Sequence, residues 1–155
     1  MGIKSFIGAR KLKNKVSDTL PIKVSDYMTR ELITFKPEQS IEQVINTLIR
    51  YKISGGPVVN DKNELIGIIS EGDCLKQISE SRYYNMPMDK LHVEDRMITK
   101  VETIDGNMNV FDAANKFLES KIRRFPIIEN GKLAGQISQK DILKAAIKLK
   151  GQNWK

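Results

Sequence analysis

Groups that do covalent or metal chemistry are scarce in this chain, whose 155 residues include one cysteine, Cys74, and one histidine, His92. A single cysteine cannot close an internal disulfide, which points to a reducing, cytoplasmic setting. One histidine and one cysteine distant in sequence supply no cluster with metal-ligand spacing, so no metal is expected. The chain also lacks a Gly-x-x-x-x-Gly-Lys-Ser/Thr phosphate loop and a Gly-x-Ser-x-Gly turn, the signatures of common nucleotide and ester hydrolases. Cys74 has no base beside it and reads as a small apolar core residue. His92 reads as a surface group. No apolar run approaches the roughly 18 residues a transmembrane helix requires. The basic amino terminus is not followed by the apolar stretch of a secretory signal, and Phe6 stands where a myristoylation signal needs Ser or Thr. The expectation is a protein that is not an enzyme and has no membrane span.

Excess charge is missing from most of the chain as well. The net charge is +7, but residues 1–23 carry +5 and residues 144–155 carry +4, which leaves −2 for the body between them. The basicity belongs to the two ends, where it is either solvated or available to an acidic partner, a nucleic acid or a membrane surface.

What the chain does contain is the same text twice. With a shift of 69, Val24, Asp26, Met28, Thr34, Asn46, Lys52, Ile53 and Pro57 coincide with Val93, Asp95, Met97, Thr103, Asn115, Lys121, Ile122 and Pro126. One residue fewer in a turn then brings Leu65, Gly67, Ile69, Ser70, Asp73 and Leu75 onto Leu133, Gly135, Ile137, Ser138, Asp141 and Leu143. A repeat of this length fixes architecture before any residue is interpreted. Lobes of about 50 to 60 residues are marginal alone, so the copies are expected to share a core.

Each copy opens with an expected short strand, Leu32 to Phe35 and Val101 to Ile104, closed by Lys36-Pro37 and Asp105-Gly106. Ser40 and Asn109 then offer helix N-caps, with Gln43 and Asp112 three residues on. Apolar residues at Ile41, Val44, Ile45, Leu48 and Ile49, and at Val110, Ala113, Ala114, Phe117 and Leu118, keep the spacing of one buried helical face. Two strands follow, Pro57 to Val59 with Leu65 to Ile69, and Pro126 to Ile128 with Leu133 to Ile137; Asn130-Gly131 suits the tight hairpin between the second pair. A last helix starts after Ser70 or Ser138. The fold class is thus α+β, two βαββα units: residues 24–79 and 93–147, joined by a linker at 80–92 and flanked by basic segments at 1–23 and 148–155. Ile3, Phe6, Ile7 and Leu12 are spaced for a short amphipathic helix in the first of these segments.

With Val-x-Asp-x-Met opening both units and Gly67-x-Ile69-Ser70-x-x-Asp73 and Gly135-x-Ile137-Ser138-x-x-Asp141 closing each hairpin, the chain resembles a tandem pair of cystathionine beta-synthase (CBS) domains, a Bateman module. The resemblance covers about 120 residues. It implies a pseudo-two-fold module with two clefts for adenosine compounds such as AMP, ADP, ATP, S-adenosylmethionine or a cyclic dinucleotide. It also implies pairing of modules through helices into a homodimer, and regulation of an enzyme, transporter or channel on a separate chain.

Asp73 and Asp141 match the family's ribose-binding position, since a carboxylate accepts both ribose hydroxyl hydrogens; Ser70 and Ser138 match the accompanying hydroxyl. The same Ser-x-x-Asp spacing is a capping-box helix start that needs no ligand, and the two roles are compatible. Pro57, Val58 and Leu65, with Pro126, Ile127 and Leu133, are candidate walls for an adenine ring or else ordinary core. Arg123 and Arg124 precede Phe125-Pro126, where several nucleotide-binding members meet phosphate, and guanidinium forks suit phosphate oxygens. The first copy has Ser54-Gly55 there, and Glu71 where the second has Gln139 beside Lys140. The expected phosphate site is therefore the second cleft. The leading expectation is a regulatory sensor for an adenine nucleotide. The alternative is an interaction or nucleic-acid-binding protein that works through its basic ends.

Overall fold

The computed structural model describes residues 22–84 and 90–153. The amphipathic helix expected near the amino terminus and residues 85–89 of the linker lie outside them. A short 3-10 turn at Val24–Asp26 is followed by helix α1 (Ile41–Tyr51), strands β1 (Gly55–Val59) and β2 (Leu65–Ser70), and helix α2 (Glu71–Tyr84). The second repeat gives the short helix α3 (Val93–Arg96), strand β3 (Ile104–Asp105), helix α4 (Val110–Ser120), strands β4 (Arg124–Glu129) and β5 (Lys132–Ser138), and helix α5 (Gln139–Asn153). The fold is mixed α and β, with strands β1 and β2 antiparallel and a second sheet ordered β3-β4-β5.

The local signals explain most element ends. Ser40 Oγ accepts the Gln43 N–H at 3.1 Å while the Ser40 N–H donates to Gln43 Oε1 at 2.9 Å, a closed capping box worth about 1 kcal/mol. Asn109 caps α4 differently, through the Phe111 N–H at 2.7 Å. Asn130 and Gly131 have φ of 53° and 76°, the paired left-handed residues of a tight hairpin. Two expectations need correction. The opening stretch of the first repeat forms no strand beyond one parallel bridge, Phe35 to Val58, because its neighbours Leu32 to Thr34 find no partner ladder; in the second repeat only Ile104–Asp105 is a strand. The apolar spacing of α1 and α4 overstated their buried faces: Ile41, Val44 and Leu48 are buried but Ile49 is 71% exposed, and Val110, Ala113 and Phe117 are buried but Leu118 is 78% exposed. Helix α2 also runs to Tyr84, because Glu80 and Ser81 have partners that hold the extra turn: Arg96 for Glu80 and Gln77 for Ser81.

The chain divides into two compact units that do not follow the repeats in sequence. One comprises residues up to Thr29, Ile104–Ile127 and the chain from Gly135; the other comprises Arg30–Thr103 and Ile128–Ala134. In the second of these, Phe35, Ile41, Val44, Leu48, Val58, Ile69, Cys74 and Val93 form one buried cluster, with Met97 packed against it. Val93 and Met97 open the second repeat yet belong to the core of the first. The converse holds in the other unit, where Thr29 pairs with Gln136 and the Val24 N–H donates to the Met108 carbonyl at 2.8 Å. Each Val-x-Asp-x-Met opening thus docks on the opposite repeat's hairpin. The docking is close: a Cβ at Gly67 would lie 2.7 Å from Met97 Sδ, and one at Gly135 would lie 2.6 Å from the Thr29 carbonyl and 2.8 Å from Met28 Sδ. The shared glycines are there to admit those methionines.

Candidate functional site

Both Ser-x-x-Asp pieces sit where a strand becomes a helix. The Ser70 N–H and Oγ donate to Asp73 Oδ2 at 2.9 and 3.0 Å, and the Asp73 N–H donates back to Ser70 Oγ at 3.4 Å. The Ser138 N–H donates to Asp141 Oδ2 at 2.9 Å, and the Asp141 N–H donates to Ser138 Oγ at 3.2 Å. The capping role is therefore present at both starts. It engages Oδ2 and leaves Oδ1 outside the cap, and both aspartates are half-buried rather than enclosed.

The strand entrance beside each helix start is tied to it by backbone. The Glu71 N–H donates to the Ser54 carbonyl at 2.9 Å, and the Gln139 N–H donates to the Arg123 carbonyl at 3.3 Å. This brings Arg123 and Arg124, both exposed, to the N-terminus of α5, next to Ser138, Lys140 and Asp141. The helix dipole there already favours an anion. At the start of α2 the corresponding surface carries Ser54 and Glu71, and Glu71 opposes an anion.

The apolar candidates fall into two groups. Pro57, Val58, Pro126 and Ile127 are buried, and Leu133 is 8% exposed. The Leu133 N–H donates to the Asn63 carbonyl at 3.0 Å, its carbonyl accepts from Asn63 Nδ2 at 3.0 Å, and so the tip of the second hairpin is held on the first. Leu65 is half-buried and lines a cleft of about 460 Å3 together with Asn60, Glu64, Thr99, Val101 and Thr103. Leu65 and Ser70 are the two ends of β2, roughly 16 Å apart along an extended strand, so the cleft at Leu65 and the helix start at Asp73 are separate places. Thr99, Val101 and Thr103 were not singled out from the sequence. The signal for Thr103 was its recurrence as Thr34.

A half-buried polar network around the buried Gln77 was missed too. Arg96 Nε donates to Gln77 Oε1 at 2.6 Å, and its two Nη atoms donate to Glu80 at 3.0 and 2.7 Å. Gln77, fully buried, passes a further bond to Ser81 Oγ at 2.8 Å. The hydrogen bonds to Arg96 hold the Glu80 carboxyl below its ordinary value, and those to Glu80 raise the Arg96 guanidinium, with Asp73 adding to the rise. Cys74 is buried in the core, and burial, helped by Asp73 and Glu71, pushes its thiol up to about 11. Among the described residues no three His, Cys, Asp or Glu side chains converge as a metal site would require, and no helix is long and apolar enough to cross a membrane.

Two repeats with exchanged openings, each closing on a Ser-x-x-Asp helix start, define a tandem CBS-domain protein. The CBS domain profile matches residues 24–80 and 93–148, and the chain belongs to that family. Its fold is similar to that of Arabidopsis thaliana CBSX2, whose crystal structure with AMP has 30% sequence identity and a TM-score of 0.71 over 84% of this chain and 99% of that one. An uncharacterized Methanocaldococcus jannaschii protein, MJ1225, is 30% identical over 84% of this chain and 44% of its own length. Inosine-5'-monophosphate dehydrogenase of Aquifex aeolicus is 30% identical over 86% of this chain, which spans 26% of that enzyme. The chain spans less than two thirds of the length of each of these two curated relatives.

Proposed function

We propose that this protein is a regulatory module that binds an adenine nucleotide at the N-terminus of α5 and works as a homodimer on a separate partner chain, an enzyme, transporter or channel. The observation that carries the reading is the convergence at one helix start of Asp141 and Ser138 for ribose with Arg123, Arg124 and Lys140 for phosphate. Pro126 and Ile127 follow the arginines on β4 and supply apolar surface for the base. The AMP complex of the similar CBSX2 supports the ligand class. Asp73 and Ser70, with Pro57 and Val58 on β1, make up the weaker site, because Glu71 and Ser54 replace its cations; Leu65, at the far end of β2, lies outside it. A switch of this kind acts by binding one arrangement of the module better than another.

Titration calorimetry with AMP, ADP and ATP tests the asymmetry. Removing charge-assisted hydrogen bonds at a phosphate or ribose site costs about 1.5 to 3 kcal/mol, or roughly 10- to 100-fold in affinity. Asp141→Ala, and the double variant Arg123→Ala with Arg124→Ala, are expected to show that loss, and Asp73→Ala is not. Equal losses from the two aspartates, or no binding by the parent protein, overturn the reading.

A further inference from the structure

The fold gathers charge that the sequence spreads over its two ends. Of the net +7, the compact unit that holds both chain ends carries +9 and the other unit −2. The amino-terminal segment, with Ile3, Phe6, Ile7 and Leu12 set among lysines, joins that unit at Ile22, whose carbonyl accepts the Val110 N–H at the start of α4. Helix α5 packs against α4. Basic segments from opposite ends of the sequence thus belong to one unit, together with Arg123, Arg124 and Lys140.

Helix α5 arranges part of this charge around apolar side chains. Ile142, Ala145 and Leu149 are buried and fix its inner face, while Leu143 and Ile147 are 66% and 71% exposed. Lys140, Lys144 and Lys148, all exposed, are spaced four residues apart and form one stripe. On the helical wheel Leu143 and Ile147 lie between that stripe and Lys150. Asp141 is the one acid of α5, and its carboxylate is engaged in the Ser138 cap. Single-stranded nucleic acid is met by aromatic rings on which bases stack, and phosphate by guanidinium forks. The outer face of α5 instead offers ammonium groups around bare aliphatic chains, which suits a surface that is anionic at its headgroups and apolar beneath them.

We infer that the outer face of α5 rests on an anionic lipid bilayer, with the lysines at the headgroups and Leu143 and Ile147 at the acyl boundary. The contact is peripheral and reversible, since two aliphatic side chains and four lysines fall far short of a membrane span. Each ammonium near such a surface strengthens binding about fivefold. The surface stands apart from the nucleotide reading above and is present whether or not a nucleotide occupies the start of α5.

Co-sedimentation of the full-length chain with vesicles tests this, using phosphatidylcholine alone and phosphatidylcholine mixed equally with phosphatidylserine. Binding is expected to the mixed vesicles only and to weaken with salt, with a blue shift in the emission of Trp154, the single tryptophan, which follows α5 in sequence. The pair Lys144→Gln with Lys148→Gln is expected to lower partitioning roughly 30-fold. Leu143→Ser with Ile147→Ser is expected to lower it about tenfold at unchanged melting temperature, because both side chains are exposed in the folded protein. Vesicle binding that this second pair leaves unchanged, or equal binding to neutral vesicles, overturns the inference. A parent protein that ignores vesicles and binds an RNA or duplex DNA oligonucleotide overturns it as well. So does sedimentation velocity in which the Leu143 and Ile147 changes split a dimer while no form of the protein binds vesicles.

Discussion

In the first repeat Phe35 lies over Gly56, where an added Cβ would meet the ring at 2.9 Å; the second repeat has Ile104 and Phe125 at the same two positions, both buried. The aromatic ring has moved from the lead-in segment onto the hairpin strand. There Phe125 packs edge-on against Phe117, with ring centroids 4.8 Å apart and planes at 61°. A second difference stands one residue earlier. The first strand enters as Ser54-Gly55-Gly56 and approaches β2 so closely that a Cβ at Gly55 would lie 2.6 Å from the Ile69 carbonyl. The second enters as Arg123-Arg124-Phe125, with both arginines exposed. The first entrance thus has no room at position 55 for the arginine that the second carries at position 124.

The strongest way to break the comparison is to move the cations. Gly55→Arg forces a side chain against a backbone carbonyl that cannot retreat, and it is expected to cost on the order of 3 kcal/mol in urea denaturation. The reverse change, Arg124→Gly, leaves the core intact and is expected to cost much less. A Gly55→Arg protein of parental stability would show that the entrances are interchangeable. A smaller effect is expected at a second mismatch between the repeats. Gln77 and Arg96 of the Gln77–Arg96–Glu80 network correspond to Ala145 and Tyr27. Arg96→Ala strands the fully buried Gln77 carbonyl oxygen, at a cost of about 1 to 3 kcal/mol, and the double variant Arg96→Tyr with Gln77→Ala is expected to recover part of it. Stability equal to the parent in the single variant would show that water replaces the guanidinium without loss.

The smallest effect concerns pH. Because Arg96 holds the folded Glu80 carboxyl below its unfolded value, the pair stabilises the fold above the ordinary carboxylate range, and that contribution is lost as pH falls through the depressed folded value. Denaturation midpoints across the acid range are expected to fall less steeply in Glu80→Gln than in the parent. An unchanged slope would remove Glu80 from the acid response.

Helix starts, the Asn130-Gly131 turn and the α+β class were legible because each depends on a few neighbouring residues. Ser40 and Gln43 specify a capping box wherever the rest of the chain goes. The exchanged openings were not legible, and the reason is the repeat itself. Val24-x-Asp26-x-Met28 and Val93-x-Asp95-x-Met97 are so alike that nothing local says which hairpin glycine each methionine will cover. The network around Gln77 did leave a trace. Positions 77 and 96 depart from their counterparts together, as Phe35 and Gly56 do, and paired departures within a repeat mark residues that touch. At the candidate site the sequence singled out Asp141, Arg123 and Ser138 as candidates, and the fold brings them to one helix start. It did not reveal that Leu65 lies a strand's length from Asp73, since spacing along a chain does not report which end of β2 faces what.

The way the two compact units share the chain bears on how the molecule could come apart. The polypeptide passes from one unit to the other four times, after Thr29, Thr103, Ile127 and Ala134, and the linker at 80–92 is none of these passages. A protease cutting in the linker would act inside one unit and leave every passage intact. The two fragments would stay interlocked like clasped hands, and would travel as a single particle until denaturant let each release the other's opening segment.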